Sequence, residues 1–277
     1  MTMLRMGRIS FSNVMPVYYG IDNNPPMDIE IITDVPSALN QLMAENRLDI
    51  SPVSTAAYAK NFRNWLILPD LSISCFGPVM SVRLACRMPI KELDGRHILL
   101  SRDSGAAAAL VKWILFEKGI SARFHSAAID SPEDVADDAA AALVIGNAAL
   151  SPAWDASFPH VYDLGEEWKK MKNLPFVFAI WAVRRAFAAA HWAEVTEAVN
   201  LLHGSRIAGI NQIRKIARLA AHKTGITNES ANLYFSRLSY TLGKHEIAGL
   251  SAFFSCLAKK GLICCLPEIS FFNMWQP

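Results

Sequence analysis

The stretch DIEIITDVPSALNQLMAENRLDISPV, residues 28–53, alternates between two kinds of order. Residues 28–35 carry Ile29, Ile31 and Ile32, a β-branched run that predicts a strand. The next segment places Leu39, Leu42 and Met43 at i, i+3 and i+4, the spacing of one helix face, with Ser37 as the expected N-cap. LDISPV (48–53) returns to strand. A strand–helix–strand unit of this length predicts parallel pairing through a right-handed crossover.

The pattern extends in both directions. RISFS (8–12) is an expected strand, STAAYAKNF (54–62) a short helix, and WLILPDL (65–71) and VMSVRLAC (79–86) complete a first β/α set. After a break at RMPIKELDG the alternation resumes. HILLS (97–101) is a strand, and a helix over about 105–118 has Leu110, Trp113 and Ile114 on one face. ARFHSAA (122–128) is a strand, and SPEDVADDAA (131–140) a helix announced by Ser131 at the N-cap, Pro132 at N1 and Asp134 at N3. AALVIG (141–146) and VYDL (161–164) are further strands. PFVFAIWAVRR (175–185) is the longest apolar strand candidate. From about His191 onward the periodicity is helical, with Gly204 and Gly209 as points of bending or splitting, and two more helices near 229–240 and 245–260.

Two successive α/β units and a helical end predict an α/β, two-lobed protein with a cleft at the hinge. Residues 1–88 and 176–277 are expected to form lobe 1, and 89–175 lobe 2, with 79–86 and 176–183 as paired crossings. Clefts between lobes are favoured sites for small ligands.

Composition narrows the possible partners. Hydrophobic residues make up 52% and charged residues 19% of 277, enough apolar material for a large core. The net charge of +2 comes without a basic run, which speaks against nucleic acid. Five cysteines with no CxxC suggest reduced, buried thiols in a cytoplasmic protein. No signal-like N-terminal run and no stretch of about 18 apolar residues is present, so no membrane partner is expected. The oily tail SFFNMWQP (270–277) is expected to pack on the body. Gly-rich nucleotide cradles, a nucleophile elbow and zinc-type histidine spacings are missing, so neither cofactor nor metal is expected. Oligomeric state is left open.

What remains are neutral hydrogen-bonding residues at strand ends: Ser12 and Asn13, Ser37, Ser54 and Thr55, Ser81, Ser104 and Gly105, Gly146 and Asn147. Ligands of parallel α/β sheets collect outside the carboxyl ends of strands, where helix starts offer free N–H groups to anions. Each serine taken singly can be a simple cap, although Asn13 and Ser81 sit where capping does not explain them. Together they point to a small anionic, cyclic acid. Tyr18, Tyr19, Phe76, Phe176 and Phe178 are available to cover its apolar face, although core packing also explains each of them.

Six segments then add up to a resemblance. RISFSNVMPVYYG, VPSALNQLMAENRLDISPVSTAAYA, LPDLSISCFGPVMSV, ALVIGNAAL, YDLGEEW and LPFVFAIWAVRR, in order over most of residues 8–185, resemble the MqnA family of menaquinone biosynthesis, the chorismate dehydratases of the futalosine route. The resemblance implies a periplasmic-binding-protein type II-like fold and conversion of chorismate to 3-[(1-carboxyvinyl)oxy]benzoate without a cofactor. It implies catalytic roles for Asn13 and Ser81, and substrate binding by Ser12, Ser54, Ser104, Gly105, Ala106, Ala107, Asn147 and Phe176. The chain departs from the family pattern in several places. Ala106 and Ala107 replace a Thr-Ser pair, and Asn147 stands where Asp is common. Lys172 and Asn173 replace Thr-Gly, and Phe76 and Met80 stand where Asp and Gly are usual. With two hydroxyls gone, Lys172 is a candidate to compensate. These departures leave two alternatives: a non-catalytic cytoplasmic module that binds or senses a small carboxylate, or a related futalosine-pathway enzyme.

Overall fold

The computed structural model describes residues 3–275. The first elements are β1 (Leu4–Ile9), α1 (Met15–Asn23), β2 (Ile29–Asp34), α2 (Pro36–Ala44), β3 (Ile50–Ser54), α3 (Thr55–Asn61) and β4 (Trp65–Cys75). The chain then crosses to β5 (Val82–Cys86), β6 (His97–Ser101), α4 (Ala106–Glu117), β7 (Arg123–Ala127), β8 (Ala141–Ile145), α5 (Gly146–Ala149), α6 (Ala153–Ser157), β9 (His160–Asp163) and α7 (Leu164–Lys172). It returns through β10 (Phe176–Arg184). α8 (Arg185–Ala190), α9 (Trp192–Asn211), α10 (Ile213–Thr224), α11 (Asn228–Arg237), β11 (Leu238–Ser239) and α12 (Lys244–Lys259) follow.

Two sheets result, ordered β11-β4-β10-β3-β1-β2 and β7-β6-β8-β5-β9. The opening unit folds as its pattern requires: β1 pairs in parallel with both β2 and β3. Parallel pairing does not extend through either sheet. β4 pairs antiparallel with β10, which is also antiparallel to β3, and β5 is antiparallel to β8 and β9. β10 inserts between β3 and β4, so its apolar run is covered on both faces. Because β5 hydrogen-bonds only in the second sheet, the crossing falls at residues 76–81 and not after residue 88.

Local signals failed in three places. The segment after Ser131 makes only a single 3-10 turn, Pro132–Asp134. Its cap contacts form, with Ser131 N donating to Asp134 Oδ2 at 2.8 Å. The turn does not propagate, however, because Glu133/Asp137 and Asp134/Asp138 would set like charges one helical turn apart. Ser37 is not a cap. α2 starts at Pro36 behind Val35, and Ser37 Oγ donates to Asp103 Oδ1 at 3.2 Å. The long C-terminal helix breaks at Gln212, not at a glycine. Gly209 instead lets α9 lie against the backbone of Pro16 in α1.

One apolar core runs through both lobes, and aromatic rings stitch them together. Trp113 and Trp168 of the second lobe stack edge-on with each other, and Trp168 in turn with Phe176 and Phe253. A separate cluster under the α10–α11 hairpin takes in Met15, Tyr19, Met80 and Leu150. Three cysteines, Cys75, Cys86 and Cys256, are buried as expected, but Cys264 is exposed and Cys265 partly so. The tail packs only in part: Phe272 is buried, Trp275 is exposed, and residues 276–277 lie outside the described ones. No helix among the described residues is long and apolar enough to cross a membrane.

Asp49 fastens the middle of the first sheet. Its carboxylate, 2% exposed, accepts from Arg5 Nη2 at 2.8 Å and Arg5 Nε at 3.0 Å, and also from Arg184. The carboxylate thereby ties β1 and β10 to β3. Burial alone would push its pKa up, but the two arginines and the Arg5 backbone N–H outweigh burial and hold it below the ordinary value. A depressed folded pKa stabilises the fold above the unfolded carboxylate pKa of about 3.9, and that contribution fades as pH falls through the folded value. Asp49→Ala is expected to cost about 2–4 kcal/mol at pH 6 and to flatten stability loss below pH 4, by urea unfolding at both pH values.

Candidate active site

The interlobe cleft holds a cavity of about 70 Å³, open to solvent, with mostly apolar walls. Its polar lining comes from Asn13, Ser54, Ser81, Asp103 and Ser104. Gly105, Ala106 and Ala107 line it at the start of α4, where the first helical N–H groups have no intrahelical acceptor. Phe11 and Phe178 supply aromatic surface.

Asn13 reaches the cavity because β1 ends at Ile9 and the chain tightens into a 3-10 turn, Ser12–Val14. Asn13 Oδ1 is buried with no hydrogen-bond partner. An amide oxygen left unpaired costs about 1–3 kcal/mol of desolvation. Ser81 lies on the other lobe at the end of the crossing and is 4% exposed. Its carbonyl accepts from Gly146 N at 2.8 Å, and beside it lies the buried phenol of Tyr234, whose pKa burial pushes up against the opposing pull of the nearby Ser81 side chain. Ser54 caps α3, accepting from Ala57 N at 3.1 Å, and Asn40 Nδ2 donates to its hydroxyl at 3.2 Å. Ser104 Oγ donates to Ser101 O at 2.8 Å and so shapes the loop into α4. Gly105 meets Ser54 across the cleft so closely that a Cβ there would collide with the serine Oγ.

Three expected contacts lie elsewhere. Ser12 is fully buried and does not line the cavity. Asn147 does not line it either; its Oδ1 accepts from Ser12 N at 3.0 Å and joins the lobes behind Asn13. An amide oxygen serves that purpose as a carboxylate would, which accounts for Asn at this position. Phe176 is in the aromatic core, 4.6 Å centroid to centroid from Phe178, and it is Phe178 that faces the cavity. Lys172 does not compensate for the missing hydroxyls, because its Nζ lies 4.9 Å over the Trp113 ring. Asn173 has φ 51° at the C-cap of α7, a left-handed position that Asn tolerates in place of Gly.

Two acids were not foreseen. Among the described residues Asp103 is the one formally charged residue lining the cavity, and its sequence signal is its position just before Ser104. Asp163 lies outside the cavity at the start of α7 and gathers the backbone of the crossing. Among the described residues no group of three His, Cys, Asp or Glu side chains stands close enough to hold a metal.

Two lobes joined by two crossings, with a cleft between them, define the class of periplasmic-binding-protein folds. Solved structures agree on the fold. Protein AF1704 of Archaeoglobus fulgidus aligns with a TM-score of 0.75 at 19% identity, covering 94% of this chain and 98% of that one. The periplasmic aliphatic sulphonate binding protein SsuA of Escherichia coli aligns at 0.68 and 13%, covering 99% and 92%. The chain belongs to the menaquinone biosynthesis family, whose sequence model matches residues 4–259. A curated relative, the chorismate dehydratase of Thermus thermophilus, is 26% identical over 268 residues, which is 91% of this chain and 94% of the relative.

Proposed function

We propose that this protein is a cytoplasmic hydro-lyase that dehydrates chorismate to 3-[(1-carboxyvinyl)oxy]benzoate on the futalosine route to menaquinone. The reading is carried by the convergence of Asn13 and Ser81, from opposite lobes, on one largely apolar cavity. The relationship to a chorismate dehydratase supports it.

The chemistry asks little of the side chains. Chorismate loses the hydrogen at C3, the C–H electrons form the last ring double bond, and the C4 hydroxyl departs. The substrate's own enolpyruvyl carboxylate accepts the proton, which ends on the departing hydroxyl as water. Aromatisation drives the step, so the protein contributes position more than basicity. Holding reacting groups in place is worth up to about 7–11 kcal/mol. Asn13 and Ser81 fix the carboxylate and the leaving hydroxyl, and the α4 start offers N–H groups to the ring carboxylate. Asp103, negatively charged, favours a hydroxyl over a carboxylate at its own position.

Purified protein mixed with chorismate is expected to yield an aromatic product lighter by one water, seen by absorbance and mass. One observation favours a second reading: Ala106 and Ala107 face the cavity without hydroxyls. On that reading the protein binds a carboxylate without converting it, and the same experiment would show saturable binding and no product.

A further inference from the structure

We infer that Asp163 is the positioning residue of the site, acting through the crossing to set the Ser81 hydroxyl. The inference rests on the reading that Ser81 touches substrate.

The Asp163 carboxylate gathers backbone donors from two directions. Met80 N donates to Oδ2 at 2.6 Å, and Val79 N donates to the same oxygen at 2.9 Å. Gly165 N and Glu166 N, at the start of α7, donate to Oδ1 at 2.9 and 3.2 Å. The second pair is an ordinary helix cap. The first pair is not, because it holds a segment 84 residues away in the chain.

That segment needs holding. Met80 has φ 66°, a left-handed conformation at a position where the family resemblance places Gly. Such a conformation is disfavoured for a residue with a Cβ and persists only when its surroundings over-determine it. The Met80 backbone is pinned by Asp163 on one side, and Gly146 N holds the Ser81 carbonyl on the other. The Met80 side chain is seated under the α10–α11 hairpin. Ser81 is the next residue; it lines the cavity and has Tyr234 beside it. Burial pushes the Asp163 carboxyl up, against the pull of its four N–H partners, and the oxygens' dense hydrogen bonding agrees with a built feature of the fold.

Asp163→Ser separates the two duties. A serine still caps α7 but lacks Oδ2, the oxygen that Met80 N bonds and the nearer of the two that Val79 N shares, Oδ1 lying 3.1 Å from Val79 N. Amide hydrogen exchange, which needs no substrate, is expected to speed up about tenfold or more at residues 79–81 while α7 stays protected. Chorismate turnover is expected to fall about 10–100-fold through kcat, the scale of a misplacement near 1 Å. In the Ser81→Ala background the same change is expected to add less than about twofold, because residues acting as one unit are not additive. Unchanged exchange overturns the pin. Faster exchange with fully additive losses overturns the action through Ser81. Asp163→Asn, which keeps the volume and turns one oxygen into a donor, repeats the test if the serine variant fails to fold, and two unfolded variants assign Asp163 to stability instead. If the wild type binds chorismate without converting it, the four-variant cycle is read on affinity. If it does not bind, the proposed function fails while the exchange result still decides the pin.

Discussion

Asn13→Ala is expected to lower chorismate turnover by about 10²–10³-fold, the loss seen when one preorganised polar contact to a transition state is removed. The melting temperature is expected to hold or rise slightly. The second half of this expectation makes the first specific. Asn13 Oδ1 is buried without a partner, so the folded protein alone draws no hydrogen bond from it and carries its desolvation cost. Removing a group that burdens the fold and serves only the ligand uncouples activity from stability. A melting-temperature drop as large as that of a core truncation, together with the lost turnover, would make Asn13 a structural residue. Kinetics and thermal unfolding of the same preparation decide between them.

Gly146→Ala is expected to strike both stability and the site. Gly146 has φ 67°, and a Cβ there would lie 2.7 Å from Phe11 Cε2 and 2.8 Å from Cζ. The left-handed backbone costs an alanine about 1–2 kcal/mol. Crowding of the ring adds about 1–3 kcal/mol more, because a packed neighbour must move. Phe11 lines the cavity, and Gly146 N holds the Ser81 carbonyl, so the disturbance reaches substrate from two sides. Turnover is expected to fall about 10²-fold, the cost of an ångström-scale misplacement. Urea unfolding and kcat measured together check it. A variant with both quantities near wild type would contradict the tight contact between Phe11 and Gly146.

Why some of this could be read in advance and some could not follows from sequence distance. Residues 28–53 encode β2, α2 and β3 by local period, and parallel pairing with β1 follows from the crossover. β4 looks just as strand-like, yet its partner β10 arrives more than 90 residues later, and no local pattern states that the pairing is antiparallel. Ser131 and Asp134 form their capping contacts, but a cap cannot extend a helix through clustered acids that bury little. Asn13 and Ser81 stood out in the sequence because neutral polar residues beside apolar strands ask for an explanation, and both line the cavity. Phe176 and Phe178 sit two apart on β10, and only the packed structure says that the first meets Trp168 while the second meets the cavity. Asp163 reads in sequence as the cap of α7. Its grip on Val79 and Met80 joins segments 84 and 83 residues apart, which no local pattern states.

The most direct measurement is mass analysis of chorismate incubated with the wild type and with a variant carrying both Asn13→Ala and Ser81→Ala. Loss of one water with the wild type, and a rate reduced by two orders of magnitude or more with a folded double variant, is the expected outcome. Unchanged chorismate with the wild type, or equal dehydration by both proteins, would contradict the assignment of this cleft as a dehydrating site.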